Sequence, residues 1–197
     1  MTKKHDITRG DVLSMSEYAG IRDARRKVIS AIKADRRVAV GPHAMFYFEN
    51  FDTMWWQVHE MLCIEKGGEA QIAGELDAYS PLIPKGSELV ATLMFEIEDP
   101  KLRGAFLNTI GGVEDQVVLQ VGGACLPAVP VADDIARSTE EGKASAVHFL
   151  RFPFTKSAIA AFRNPETEVM LGIRHAGYGH MAAIPEKTRA ALGEDFD

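Results

Sequence analysis

Residues 37–65, RVAVGPHAMFYFENFDTMWWQVHEMLCIE, read as one strand passing directly into one helix, and the rest of the chain is arranged around this unit. From Arg37 to about Asn50 the pattern has period two. Val38, Val40, Ala44, Phe46 and Phe48 form one face, and Arg37, His43, Met45, Tyr47 and Glu49 the other. Gly41-Pro42 interrupts the run, because proline cannot donate to a ladder; the interruption marks an edge, a bulge or a hairpin bend. Asp52 or Thr53 then caps a helix that reaches Glu65 and is closed by Gly67-Gly68. At ~100° per residue, Phe51, Met54, Trp55, Val58 and Leu62 gather on one side of that helix. Trp56, Cys63 and Ile64 form a second stripe with Glu60 inside it, while His59 lies beside the stripe and is assigned to the surface. A helix apolar on two sides needs two partners, so the second stripe must meet another layer of this chain or another subunit.

Upstream, Thr8 and Asp11 have the spacing of a short capped turn, and a helix is predicted over residues 16–33. Tyr18, Ile21, Val28, Ile29 and Ile32 mark its apolar stripe; Arg22, Arg25, Arg26, Lys27 and Lys33 mark a solvated basic face. Downstream, a helix is predicted over 69–79, broken by Pro81 and Pro84. The second half contains a weak repeat. A strand over 90–98, a helix capped by Asp99 that turns Ala105-Phe106 inward, and a strand over 117–121 are followed by a strand over 145–152, a helix capped by Thr155 with Ala161-Phe162, and a strand over 169–173. Gly122-Gly123 turns the chain into an extra strand over 124–129, and residues 131–143 form a polar connection. The closing RHAGYGHMAAIPEKTRAALGEDFD reads as a glycine-rich loop and a short helix from Pro185. Two β-α-β units in series predict an α+β chain with a ferredoxin-like split β-α-β sheet, carrying an N-terminal helix and a strand–helix extension. The expected organisation is a single domain over 1–197: N-terminal helices and strand to 87, the repeat core over 88–176, and a C-terminal loop and helix over 177–197.

At 197 residues, 46% apolar and 25% charged, the chain has the composition of an ordinary globular protein. A net charge of -6 disfavours nucleic acid as a partner. No apolar run is long enough to span a bilayer, and MTKKHDITRGD lacks the apolar segment of a signal peptide. Cys63 and Cys125 are far apart and match no metal-site spacing. The expected location is cytoplasmic.

No phosphate loop, dinucleotide fingerprint, nucleophile elbow or zinc-finger spacing is present, so no catalytic residue is assigned. The groups that could carry chemistry are dispersed: His43, Glu49, Glu60, His148 and His175. His43 and Glu49 stand about 20 Å apart along a straight strand at ~3.3 Å per residue, which rules out a shared ion unless the chain reverses between them. Glu60 is partly desolvated in its stripe, and a hydrogen-bonded or ion-paired structural role outweighs a functional one. His148 shares a face with Leu150 and Phe152, the pattern of a satisfied core histidine. His175 and His180 flank Ala-Gly-Tyr-Gly, a spacing that permits co-ligation and suits a plain turn better.

Four blocks, GPHAMFYFENFDTMWWQVHEML, ELDAYSPLIP, SAVHFLRF and RHAGYGHMAAIP, resemble in order the uncharacterised bacterial family catalogued as domain of unknown function 3501, over nearly the whole length. Members of that family resemble one another at the positions of Pro42, His43, Glu49, Asn50, Glu60, Glu75, Tyr79, His148 and His175 here. The family has no established activity. Its genes often lie beside those of rubrerythrin-like and iron–sulfur redox proteins, so the resemblance implies an accessory role in redox or metal metabolism with a redox protein partner. Two readings follow. In the first, a transition metal or a small ligand is held by His43, Glu49, Glu60 and His148 from separate elements. In the second, the chain is a non-catalytic homo-oligomeric adaptor whose contact surface is Trp56, Cys63 and Ile64.

Overall fold

The computed structural model describes residues 4–131 and 143–197. A single 3-10 turn (Arg9–Asp11) leads into helix α1 (Met15–Ala34). Ser14 caps α1, and Glu17 reaches back to the Ser14 N–H at 2.9 Å, which closes a capping box. The opening unit then resolves into a hairpin and a helix: β1 (Arg37–Val40), β2 (Ala44–Glu49) and α2 (Phe51–Glu65). The break at Gly41-Pro42 is therefore the hairpin bend. Gly41 has φ +68°, and a Cβ there would stand 2.6 Å from the His180 ring and 2.7 Å from the Tyr178 hydroxyl. The cap of α2 is Asn50, rather than Asp52 or Thr53. Its side chain accepts from Thr53 N–H at 3.0 Å and the Thr53 hydroxyl accepts from Asn50 N–H at 3.0 Å.

After α3 (Glu69–Tyr79) come β3 (Glu88–Phe95), α4 (Pro100–Leu107), β4 (Val117–Val121), β5 (Ala124–Pro127) and β6 (Val129–Pro130). Beyond residues 132–142, on which most of the predicted polar connection falls and which lie outside the described residues, come β7 (Val147–Pro153), α5 (Lys156–Arg163), β8 (Val169–His175), β9 (Tyr178–Ala183) and α6 (Glu186–Gly193). The closing glycine-rich stretch is thus a β-hairpin, with His175 paired to Tyr178 across its turn.

The two β-α-β units exist, with Asp99 and Thr155 capping their helices, but they do not build a ferredoxin-like sheet. Their first strands pair antiparallel in a five-stranded sheet ordered β1-β2-β3-β7-β6, and their second strands pair antiparallel in a four-stranded sheet ordered β5-β4-β8-β9. The N-terminal hairpin is not an extension either; it occupies one flank of the larger sheet. The reason lies in β3, which is buried on both faces. Leu89, Ala91, Leu93 and Phe95 meet the smaller sheet through Leu119, Leu171 and Ile173, while Val90 meets α1–α3. A split β-α-β sheet covers one face only and would leave the other in water. The mixed α+β class holds, with three layers: helices α1–α3, the five-stranded sheet, and the four-stranded sheet. Phe162 and Leu107 of the two repeat helices are buried in the core between the sheets, whereas Ala105 is exposed.

The Tyr178 hydroxyl on β9 ties the sheets together. It donates to Val40 C=O at 2.8 Å and accepts from His43 N–H and Ala44 N–H at 2.9 and 3.0 Å. Three backbone groups of the β1–β2 bend thus depend on one side chain from the opposite sheet. Tyr178→Phe should cost about 1–3 kcal/mol, because it strips partners from buried polar groups while keeping the ring. Urea unfolding would show this as a lower midpoint at unchanged slope. A loss under about 0.5 kcal/mol, the range of ordinary surface changes, would show that the hydroxyl is no tie.

Candidate functional site

The space between the outer face of the five-stranded sheet and the helical layer is not completely filled. A cavity of about 320 Å³ opens there, lined by Lys33 in the last turn of α1 and Arg36 just beyond it, Tyr47 and Glu49 of β2, Met54 and Gln57 of α2, Tyr79 of α3, Thr92 and Met94 of β3, and Val147 and Phe149 of β7. Strand alternation explains the sheet contribution. Tyr47 and Glu49 of β2, Thr92 and Met94 of β3, and Val147 and Phe149 of β7 alternate with the residues of the inter-sheet core and so point into this space.

Glu49 sits on its floor. The residue is only 7% exposed. One carboxylate oxygen accepts from the Thr53 hydroxyl at 2.7 Å and the other from the Thr92 hydroxyl at 2.8 Å. Among the described residues the carboxylate forms no ion pair. An ionised carboxylate has about four acceptor sites, so two hydroxyls leave capacity directed at the cavity. Arg36, 4% exposed, is nearby but committed elsewhere. Its Nε donates to Phe48 C=O at 3.0 Å, Nη1 to Ala191 C=O at 2.9 Å, and Nη2 to Glu49 C=O at 3.2 Å and to the Asp195 carboxylate. Lys33, Gln57 and Tyr79 also line the cavity, and among the described residues none of their side chains has a hydrogen bond or ion pair. Tyr47 at the rim donates to Glu96 at 2.5 Å; burial, then that bond, pushes its phenol up to about 12. The remaining lining is aromatic, thioether or aliphatic. Apolar walls with a few converging polar groups are the ordinary construction of a small-molecule site.

The other residues singled out from sequence do not join Glu49. His43 leaves the β1–β2 bend, its ring 5.2 Å from Phe106 and 6.3 Å from Tyr178. The chain reverses before His43, not after it, so straight β2 separates it from Glu49 as strand rise requires. His148 lies opposite Leu93 in the inter-sheet core, fully buried, with Nε2 2.9 Å from Ser145 C=O and Nδ1 3.8 Å from Glu114. His175 holds its own hairpin: Nε2 donates to Gly111 C=O at 3.2 Å and Nδ1 accepts from Gly177 N–H at 3.0 Å. His180 pairs with Ile173, not with His175, and rests on Tyr178. Among the described residues no group of three or more His, Cys, Asp and Glu is placed to hold a metal ion. The shared metal site expected from His43, Glu49, Glu60 and His148 is therefore not formed.

Glu60 meets α1. It accepts from the Tyr18 hydroxyl at 2.7 Å and from Arg22 through two bonds of 2.8 and 2.9 Å. The second stripe of α2 thus finds its partner in this chain. Trp56, expected at a contact surface, is 8% exposed with its ring 5.9 Å from Tyr18; Cys63 is half-buried in the same cluster, and only Ile64, at 65%, stands in solvent. Arg22 and Arg25 leave the solvated basic face for this contact, Arg25 lying 4.8 Å over the Trp55 ring. His59 is fully buried rather than surface. Its Nδ1 donates to Trp55 C=O at 2.7 Å and its Nε2 accepts from Leu13 N–H at 3.0 Å; burial lowers its pKa and favours the neutral ring that this pairing needs.

The Arg22 hydrogen bonds, reinforced by Tyr18, hold the Glu60 carboxyl below its ordinary value of 4.5 despite burial. A carboxylate lowered on folding stabilises the fold above its unfolded value and loses that contribution as pH falls through the folded one. Glu60→Gln should therefore cost about 1 kcal/mol at pH 7, modest because Arg22 is a third exposed. The gap between native and variant should narrow below pH 4.5. A gap that stays constant from neutral pH down to about 3 would contradict the ion pair's role.

Comparison with known proteins places the chain. A solved structure from Burkholderia pseudomallei K96243, described as a novel protein of unknown function, is 38% identical with a TM-score of 0.88, over 97% of this chain and 99% of that one. No curated protein matches the chain. Among the described residues no helix is long and apolar enough to cross a membrane. The profile of the family described as "Protein of unknown function (DUF3501)" matches residues 6–196, nearly the whole length, and the chain belongs to that family.

Proposed function

We propose that the protein binds a small organic molecule in the cleft between its helical layer and its five-stranded sheet, with Glu49 accepting hydrogen bonds from an N–H or O–H donor of that molecule. The observation that carries this reading is the Glu49 carboxylate: buried, oriented by Thr53 and Thr92, without an ion pair among the described residues, and facing an open cavity. Leaving such a group buried without a counter-charge is costly to the fold. A retained cost of this kind at a concave apolar site is characteristic of recognition. The small-ligand half of the first sequence reading is thereby favoured over its metal half. The reading requires no catalytic step.

The methyl groups of Met54 and Met94 line the cleft and report on it by NMR. A panel of small aromatic and aliphatic amines, amides and amino alcohols should contain compounds that shift both resonances saturably. Glu49→Gln, whose fold can be checked by the same spectra, should weaken those compounds by about tenfold or more, the loss expected for one charge-assisted hydrogen bond. Compounds that perturb only residues outside the cleft, or that bind the variant as well as the native protein, would remove Glu49 as the recognition group.

A further inference from the structure

The charges of the cleft can be counted. Arg36 lines it, yet four of the five N–H groups of its guanidinium are engaged: with the Phe48 and Glu49 carbonyls on β2, the Ala191 carbonyl on α6, and the Asp195 carboxylate. It is paired with Asp195, so its charge is already matched. That leaves Glu49, a buried anion on the floor, and Lys33, a half-buried cation on the wall. These two opposite charges line one cavity, and no ion pair joins them, since their atoms do not come within 4.0 Å. A flexible lysine would normally close on such a carboxylate if it could reach, because opposite charges in a partly desolvated space attract strongly. Here the two line one cavity without pairing. The same cavity is lined by Tyr47, Tyr79, Phe149, Met54 and Met94, and by the uncharged Gln57.

We infer that the cleft takes a small zwitterion with an apolar body, of the α-amino-acid class, whose ammonium meets Glu49 and whose carboxylate meets Lys33. This deepens the reading that Glu49 receives a ligand donor, and rests on it. A molecule with only a positive group would satisfy Glu49 and face an unmatched cation in Lys33. One with only a negative group would bring a second anion beside a buried carboxylate, which is strongly unfavourable. A ligand carrying both charges cancels both, and the aromatic and thioether walls suit an aromatic or branched side chain. At about 320 Å³ the cavity lies at the small end of the range for organic ligands, consistent with a single amino acid and too small for a large cofactor. Lys33 is then the residue that separates amino acids from simple amines.

Three probes of one shape decide the matter: L-phenylalanine, 2-phenylethylamine, which lacks the carboxylate, and 3-phenylpropionate, which lacks the ammonium. Titrations would follow the Met54 and Met94 methyl resonances of the native protein, with calorimetry for affinity. The expected order is phenylalanine tightest, the amine about tenfold weaker or more, and the acid unbound. Lys33→Met keeps the aliphatic stem at the wall and should abolish the preference for phenylalanine over the amine; Glu49→Gln should weaken both. If the amine binds as tightly as phenylalanine, or if Lys33→Met leaves the preference intact, the zwitterion inference is wrong while the Glu49 reading stands. If none of the three binds in the cleft, the amino-acid class is excluded, and the wider panel of donors alone decides the role of Glu49.

Discussion

A buried guanidinium holds the parts of this molecule in register. Arg36 follows α1 and precedes β1, so its backbone is where the helical layer gives way to the sheet. Its own carbonyl accepts from Phe48 N–H at 2.8 Å, and its side chain returns to the Phe48 and Glu49 carbonyls at the end of β2. The same group reaches the C-terminal end of the chain at Ala191 and Asp195. Arginine suits this place because its planar fork offers five fixed donors, while lysine would offer a point charge and satisfy fewer carbonyls. One consequence bears on the cleft. By clamping the Glu49 backbone and consuming Asp195, Arg36 fixes where the Glu49 side chain begins and removes itself as its counter-ion.

The cleft follows from a mismatch between two flat layers and a polar insertion. β3 needs cover on both faces, and the helices supply it well at Val90, where Met54 and Leu82 belong to the same cluster. Further along, Thr92 and Glu49 interrupt the apolar surface, and the helices cannot close tightly over a hydrogen-bonded carboxylate without desolvating it further. The hydroxyls of Thr53 and Thr92 are short and leave one side of the carboxylate open. The same chemistry explains why the histidines are elsewhere. His59, His148 and His175 each bond to backbone groups within their own packing unit, which makes them structural pegs.

Local structure was legible in the sequence wherever side-chain period and capping chemistry agreed. The 69–79 helix, the 117–121 strand and both repeat-helix caps lie where alternation and short polar residues place them, and α2 is present with its cap two or three residues earlier, at Asn50. What alternation could not reveal was which strands share a sheet. Two β-α-β units with equal spacing fit one sheet or two, and the deciding fact, that β3 buries both faces, shows only as a strand with few polar residues. For the site, strand rise separated His43 from Glu49 correctly, and helix phase placed Glu60 in a second stripe that α1 covers. Glu49 itself was named, as a residue for a metal or a small ligand and in company with His43, Glu60 and His148, which do not join it. Its neighbours around the cavity, Thr53, Thr92, Gln57 and Lys33, come from three different elements, a convergence that no spacing along the chain encodes. The lone hydroxyl of Thr92 in an otherwise apolar strand interior was the one local signal available. His59 was misplaced because helix phase alone could not show that the segment around Leu13 folds over it.

The pairing of β3 with β7 also has a consequence for biosynthesis. Residues 96–146 separate the two strands, and β4 and β8, which cover the inner face of β3, are spaced in the same interleaved way. At the usual 5–20 residues per second, roughly 3–10 s pass between the emergence of β3 from the ribosome and that of its neighbour. During that interval an apolar strand already paired to β2 presents a bare edge and an uncovered face. Neither half of the repeat can settle alone, because each unit leaves one strand in each sheet. Neither sheet can therefore be completed until β7 and β8 have been made, late in translation.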